Sequence, residues 1–266
     1  MCTEPSAFGS KGTFPTNEFP HAHKIINSLD DIENLIIPNP ESDGLLPFVL
    51  NRLKLAQPKI EEKNHKIRFA VARGPLNIAS YLMGTTELLT TMMMAPEKVH
   101  LLMEKITTFL KSWILLQIQT FPSVDGIFML DDIIGFMSAD DFTTFGIPYF
   151  KEIYSQKVSV KFLHNDAPCR ESAPLLNEIG INLFNMGFDV NLNELRELTN
   201  NKITLVGNLP PRDVLASGTK DEVNSKTKQL LNSLNDTTRI IMSCGGGMPP
   251  NVNIKNIEAF INAVQN

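Results

Sequence analysis

From residue 66 onward, short runs that are apolar on both faces alternate with segments whose apolar positions recur every three or four residues. The first kind predicts buried strands, and the second predicts amphipathic helices packed over them. Strands are expected at 67–72, 126–130, 158–163, 181–184, 203–206 and 239–243. Between them fall a helix over 76–94, interrupted near Gly84, and a long helix after Pro96 running to about Thr120. In the long helix Val99, Leu102, Met103, Ile106, Leu110, Trp113 and Ile114 form one stripe. Shorter helices are expected at 172–178, 191–199, 212–216, 219–234 and 254–264. Ser138 with Asp141 and Thr219 with Glu222 have the spacing of capping boxes. The Met92, Met93, Met94 run reads as adaptable core filling.

Strand–helix alternation of this kind predicts an α/β fold with a parallel sheet. Polar or Gly-containing turns follow most of the strands: Arg73-Gly74, Asp131-Asp132, His164 to Asp166, Gly207-Asn208 and Ser243-Cys244. A (β/α)8 barrel gathers its functional groups on that rim. An open doubly wound sheet binds there too, so the rim alone does not choose between the folds.

Residues 1–60 have another character, holding seven of the seventeen prolines. That density excludes long helices and central strands. Ser28 begins a short capped helix, and 47–57 suits another. The chain thus reads as a proline-rich segment, 1–60, packed on a barrel domain spanning 61–266.

Composition narrows the function classes. A formal net charge of −5 without a basic patch argues against nucleic acid. No apolar run approaches the ~18 residues of a membrane span, and the N-terminus lacks the basic and apolar regions of a secretory signal. Three cysteines, Cys2, Cys169 and Cys244, cannot all pair within the chain. Free thiols and a cytoplasmic location are expected.

Side chains two apart in an extended segment share a side, so His164 and Asp166 should stand together. An imidazole beside a carboxylate binds a metal or shares a proton, and the plain alternative is a hydrogen-bonded pair that stabilises the turn. Cys244 precedes three glycines, Gly245 to Gly247, whose backbone suits close approach to a ligand. The plain alternative for Cys244 is a small buried residue. Asp131 and Asp132 face the expected mouth as acid/base candidates or as caps, and Asn208 and Asn77 are candidates to hydrogen-bond substrate. His21, His23, His65 and His100 have no evident partners and read as solvated.

Several stretches resemble the uroporphyrinogen decarboxylase superfamily, which holds that decarboxylase and zinc-dependent methyltransferases moving methyl groups from methyl-corrinoids to thiols. They are Arg73 to Gly84, Asp125 to Phe128 with Ser138 to Tyr149, Gly207 to Pro211, and Ser243 to Pro250 with Asn256-Ile257. The resemblance implies a (β/α)8 barrel with its site in the C-terminal mouth. It also implies zinc ligation by a His-x-Cys pair and a later Cys. Here His164 and Cys244 fill the outer positions, and Asp166 stands where the first Cys would be. A carboxylate is a harder zinc ligand than a thiolate.

The implied activity is corrinoid-dependent methyl transfer to a metal-activated thiol. A corrinoid protein would be the partner and methyl-corrinoid the co-substrate, and a homodimer is an allowed assembly. Tyr81, Arg73, Asn77, Gly245 and Gly246 join the implied site. The decarboxylase alternative lacks the family's Arg-rich N-terminal segment and the Asp that follows it. Its rim offers few cations (Arg73, Arg170 and Arg212) for a polycarboxylate tetrapyrrole. A third possibility is a non-catalytic barrel remnant that binds a tetrapyrrole or a partner. Six strands are countable against the family's eight. Either the chain is truncated and lacks its first two strands, or the 1–60 segment closes the gap. An open barrel would leave unpaired strand edges.

Overall fold

The computed structural model describes residues 2–265. A two-stranded hairpin of β1 (Gly12–Thr13) and β2 (His21–Ala22) lies in the N-terminal segment. The main sheet holds β3 (Phe69–Arg73), β4 (Gly126–Leu130), β5 (Val160–Asn165), β6 (Leu183–Met186), β7 (Thr204–Leu209) and β8 (Ile240–Cys244). All five neighbouring pairs are parallel and follow chain order without reversal. A doubly wound sheet requires a point where strand order reverses. Its absence here leaves the singly wound, barrel-type α/β arrangement. Among the described residues β3 and β8 pair only inward, so six strands stand in the sheet.

Alternation along each strand sorts the core. Ala70, Ala72, Ile127, Met129, Leu163, Phe184 and Leu205 are buried against the helices. The opposite parity forms the inner face, where Phe128 stacks on Phe162 at 4.4 Å with Phe69 beside both. This inner face is less covered, with Val71 43% and Ile241 49% exposed.

The long helix Pro96–Thr120 starts at a proline, where the missing N–H costs no hydrogen bond. It buries the whole predicted stripe together with Phe109 and Gln117. The break at Gly84 is real: helices Pro75–Met83 and Thr85–Met94 meet there, at a φ of +100°. Thr219 and Glu222 form the expected capping box, and the Ser138 hydroxyl accepts from the Asp141 amide. Residues 172–178 do not form the expected helix; only Ala173–Leu175 makes a single 3-10 turn. Met92 is core, but Met93 and Met94 are 85% and 81% exposed, so core filling fails for two of the three. Their helix turns that face to solvent. His100 is not merely solvated, since its Nδ1 meets the Tyr149 hydroxyl at 2.7 Å and its ring stacks on Phe145. His23 likewise meets the Thr13 hydroxyl at 2.7 Å.

The ends of β3 and β4 are locked together by Asp131. Its Oδ2 accepts from the amides of Leu76 (2.9 Å) and Asn77 (3.1 Å), and Oδ1 from Ile133 (3.2 Å). The carboxyl therefore caps the helix Pro75–Met83 from a neighbouring strand. Gly74 is the hinge of this contact, because a Cβ there would lie 2.3 Å from Asp131 Oδ2. Gly74→Ala is expected to destabilise the fold by about 2 kcal/mol, the usual cost of overpacking. Asp131→Ala leaves three buried amides without an acceptor and should cost about 3 kcal/mol or more. Asp131→Asn keeps one good acceptor and should cost clearly less. Urea unfolding of the three variants checks this order, and equal losses for Asn and Ala would refute the capping role.

Candidate functional site

The mouth lies past the carboxyl ends of the parallel strands, and β5 supplies its centre. His164 sits inside β5 and shares the inner face with Phe128 and Phe162, its ring edge-on to Phe128. Asp166 follows the strand end, and its Oδ2 is 3.3 Å from His164 Nε2, as the two-residue spacing predicts. On the other side, His164 Nδ1 lies 2.7 Å from Asn185 Oδ1. Asn185 opposes His164 directly in the β5–β6 register. Its Nδ2 donates to the Val206 carbonyl at 2.5 Å and to the Cys244 carbonyl at 3.4 Å. With the amide nitrogen so engaged, the oxygen must face the ring, and Nδ1 carries a proton. Nε2 is thereby directed at Asp166.

Burial pulls the His164 imidazole down, but Asp166, then Asn185 and Asp132, outweigh it and hold the ring above its ordinary value. The Asp166 backbone is fixed in turn, its amide donating to Asp132 Oδ1 at 2.8 Å. Gly246 closes on the carboxylate from the far side. A Cβ at Gly246 would lie 2.3 Å from Asp166 Oδ1, and its φ of +72° already favours glycine. Gly245 packs as closely, on the backbone of Phe188.

The remaining candidates divide clearly. Asp132 is half-buried and holds the Asp166 turn, whereas Asp131 is fully buried by the amides it caps. Burial pushes the Asp131 carboxyl up to about 8, against the pull of those amides. Asn208 is buried, and its Nδ2 donates to the Val190 carbonyl at 2.9 Å, pinning the loop after β6. Asn77 is also buried and donates to the Leu130 carbonyl at 3.1 Å. Tyr81 is half-buried beside Arg73, Asp131, Asp132 and Glu4, and burial raises its hydroxyl's pKa. The Arg73 amide donates to Glu4 Oε1 at 3.0 Å.

Cys244 ends β8 at the parity of Ile240 and Met242 and packs with Leu209, Leu215 and Val223 in the outer cluster. Its thiol donates to the Gly246 carbonyl at 3.3 Å, and burial raises its pKa. His164 and Asp166 are therefore brought together, while the sulfur is directed elsewhere. Among the described residues no three His, Cys, Asp or Glu side chains are arranged to hold one metal ion. Tested for zinc, the pair is right in kind but falls short of the three protein ligands that such a site needs.

A cleft of about 540 Å³ opens beside the pair, running past Phe188, Asp189 and Arg212 to Gly245 and Gly247. Asp166, Asp189 and Asp213 line it against the single cation Arg212. Arg170 is engaged with Glu194 at 2.8 Å. Among the described residues no helix is long and apolar enough to cross a membrane. Sequence reasoning missed Asn185 and Glu4. The strand register would have pointed to Asn185, the one polar residue between Phe184 and Met186, but that register was unknown from sequence. Glu4 lies in the proline-rich segment and carried no signal.

Comparison with known proteins gives the relationship. The sequence model of the uroporphyrinogen decarboxylase (URO-D) family matches residues 1–266. The uroporphyrinogen decarboxylase of Pseudomonas putida (strain W619) is 26% identical over 279 residues, covering 99% of this chain and 76% of that protein. The one from Chlorobaculum tepidum is 24% identical over 254 residues, covering 90% and 70%. Among solved structures, a methyltransferase from Methanosarcina mazei superposes with a TM-score of 0.80 at 19% identity, covering 100% of this chain and 77% of that one. A B12-independent methionine synthase from Shewanella sp. W3-18-1 gives 0.61 at 12% identity, covering 97% and 75%. These two likenesses establish the shared fold. With the whole chain matched, this protein belongs to the uroporphyrinogen decarboxylase family.

Proposed function

We propose that this member of the family is a methyltransferase, transferring a methyl group from a methyl-corrinoid to a thiol, with His164 and Asp166 at the reacting centre. The observation that carries the reading is the acidic cleft beside an anchored imidazole. Asp166, Asp189 and Asp213 against Arg212 repel a polycarboxylate porphyrinogen. A neutral thiol meets no such barrier. The His164 posture supports the same reading, because an imidazole whose Nδ1–H is held by a carbonyl oxygen offers Nε2 as a metal ligand.

Zinc is the ion that these donor types suit, and with His164 and Asp166 one protein ligand short of such a site, the acceptor thiol itself would have to complete it. When bound it would lower the pKa of an acceptor thiol. The chain's own residues do the rest of the work. Asn185 orients the ring, Asp132 fixes the Asp166 turn, and Gly245 and Gly246 let the backbone close over the centre. A corrinoid protein would present the methyl donor at the mouth. The names of the curated relatives favour a second reading, decarboxylation of uroporphyrinogen, which the same purified protein can be offered.

Metal analysis of the purified protein is expected to find zinc in the wild type. His164→Ala and Asp166→Ala should each weaken zinc binding by at least about tenfold, the cost of losing a ligand. Cys244→Ser should leave it within about twofold, since its thiol faces Gly246. Methylcobalamin with a simple thiol should then be demethylated by wild type and not by His164→Ala. Consumption of uroporphyrinogen with no demethylation would establish the decarboxylase reading instead.

A further inference from the structure

A second cavity, of about 300 Å³, shares Phe188 and Pro210 with the cleft beside Asp166. That volume is at the lower end of what small-molecule sites enclose. Phe188 and Val190 of the loop after β6 line it with apolar surface. So do Leu209, at the end of β7, and Leu230 and Leu234, from the helix Lys220–Ser233 and its exit.

Most polar groups around this space are already committed to the protein. Asn193 Nδ2 donates to the Ser233 carbonyl at 2.8 Å, and its Oδ1 accepts from the Asn235 amide at 3.0 Å. Asn191 Oδ1 caps the helix Leu192–Leu198, and the Ser233 hydroxyl donates to the Leu230 carbonyl at 2.7 Å. Two groups are left over. Asn208 is only 4% exposed, and its Nδ2 is turned to the Val190 carbonyl, which leaves Oδ1 without a donor among the described residues. Among those residues the unpaired side-chain atoms sealed from solvent are Thr107 Oγ1, Trp113 Nε1 and Asn165 Nδ2. Asn208 Oδ1 is not sealed with them, so it opens on the cavity that Asn208 lines. The other is the exposed Lys226 ammonium, which among the described residues reaches only Gln229 of its own helix, at 3.4 Å.

We propose that this cavity is a ligand site separate from the reacting centre, taking a small apolar carboxylate that carries a hydroxyl or N–H donor at its other end. The donor bonds to Asn208 Oδ1, where apolar walls keep water from competing. The apolar body covers Val190, Leu209 and Leu230, and the carboxylate pairs with Lys226 at the rim. The site stands whichever reaction the centre performs.

Backbone amide NMR of the full chain, titrated with 4-hydroxyphenylacetate, tests it. Saturable shifts are expected at Val190, Leu209 and Leu230, with a Kd of about 5 mM or tighter. Phenylacetate, which lacks the donor, should bind at least about fivefold more weakly. Lys226→Met, a change at an exposed position, should weaken 4-hydroxyphenylacetate by about threefold and leave the neutral 4-hydroxyphenylethanol unchanged. Leu230→Trp should fill the cavity and abolish the shifts at Val190 and Leu209. No saturable shifts in the wild type, shifts confined to the Arg212 cleft, equal binding of phenylacetate, or unchanged binding by Leu230→Trp overturns the site. Lys226→Met that binds the acid as wild type does, or that loses acid and alcohol equally, overturns the place given to the carboxylate.

Discussion

The amide of Asn185 is the joint on which the mouth depends. It stands on β6, presents its oxygen to His164 on β5, and donates to carbonyls on β7 and at the end of β8. One buried side chain thus ties four consecutive strands at the level where the site begins. Such a group has to satisfy all its polar atoms, because a buried orphan donor costs about 1–3 kcal/mol. The requirement fixes more than the ring of His164. It also ties in the end of β8, beyond which the Gly245 and Gly246 amides donate to the Leu209 (2.9 Å) and Met186 (3.1 Å) carbonyls and turn over Asp166. The close approach of Gly246 to that carboxylate is held by its own amide, bonded to the end of β6.

Much of this architecture is legible from periodicity. The strand at 126–130 lies where the apolar run places it, and the other five begin within two residues of expectation. The drift is toward later residues, since the buried stretch of each strand extends into polar positions that the rim satisfies. His164 and Asn165 belong to β5 for this reason, although their polarity reads as a turn. The His164–Asp166 contact was legible because it needs only the two-residue repeat. Asn185 and Glu4 were not, because their roles depend on which strand lies beside which.

Cys244 shows the same limit from the other direction. Its place after the last strand suggests a ligand, yet its parity with Ile240 and Met242 turns it toward the outer helices. A shift of one residue would reverse the facing of every side chain in β8. Position at a strand end therefore says that a residue is near the rim, whereas register decides whether it looks into the mouth. Asp131 follows the same logic. It too ends a strand at the rim, but it closes the gap between β4 and the helix after β3 and has no surface left for a substrate.

Charge rather than fold separates the two candidate substrates of the proposed readings. A mouth built for a polycarboxylate has to repay the desolvation of several anions with cations fixed in place. In this cleft the carboxylates outnumber the one arginine, and the nearby Arg170 is already engaged with Glu194. Reversing that balance would take several substitutions spread over separate loops, so it is a property of the cleft and not of one residue. The backbone of the family is common to its members, and on the proposed reading the charge lining this cleft is what separates a thiol from a polycarboxylate.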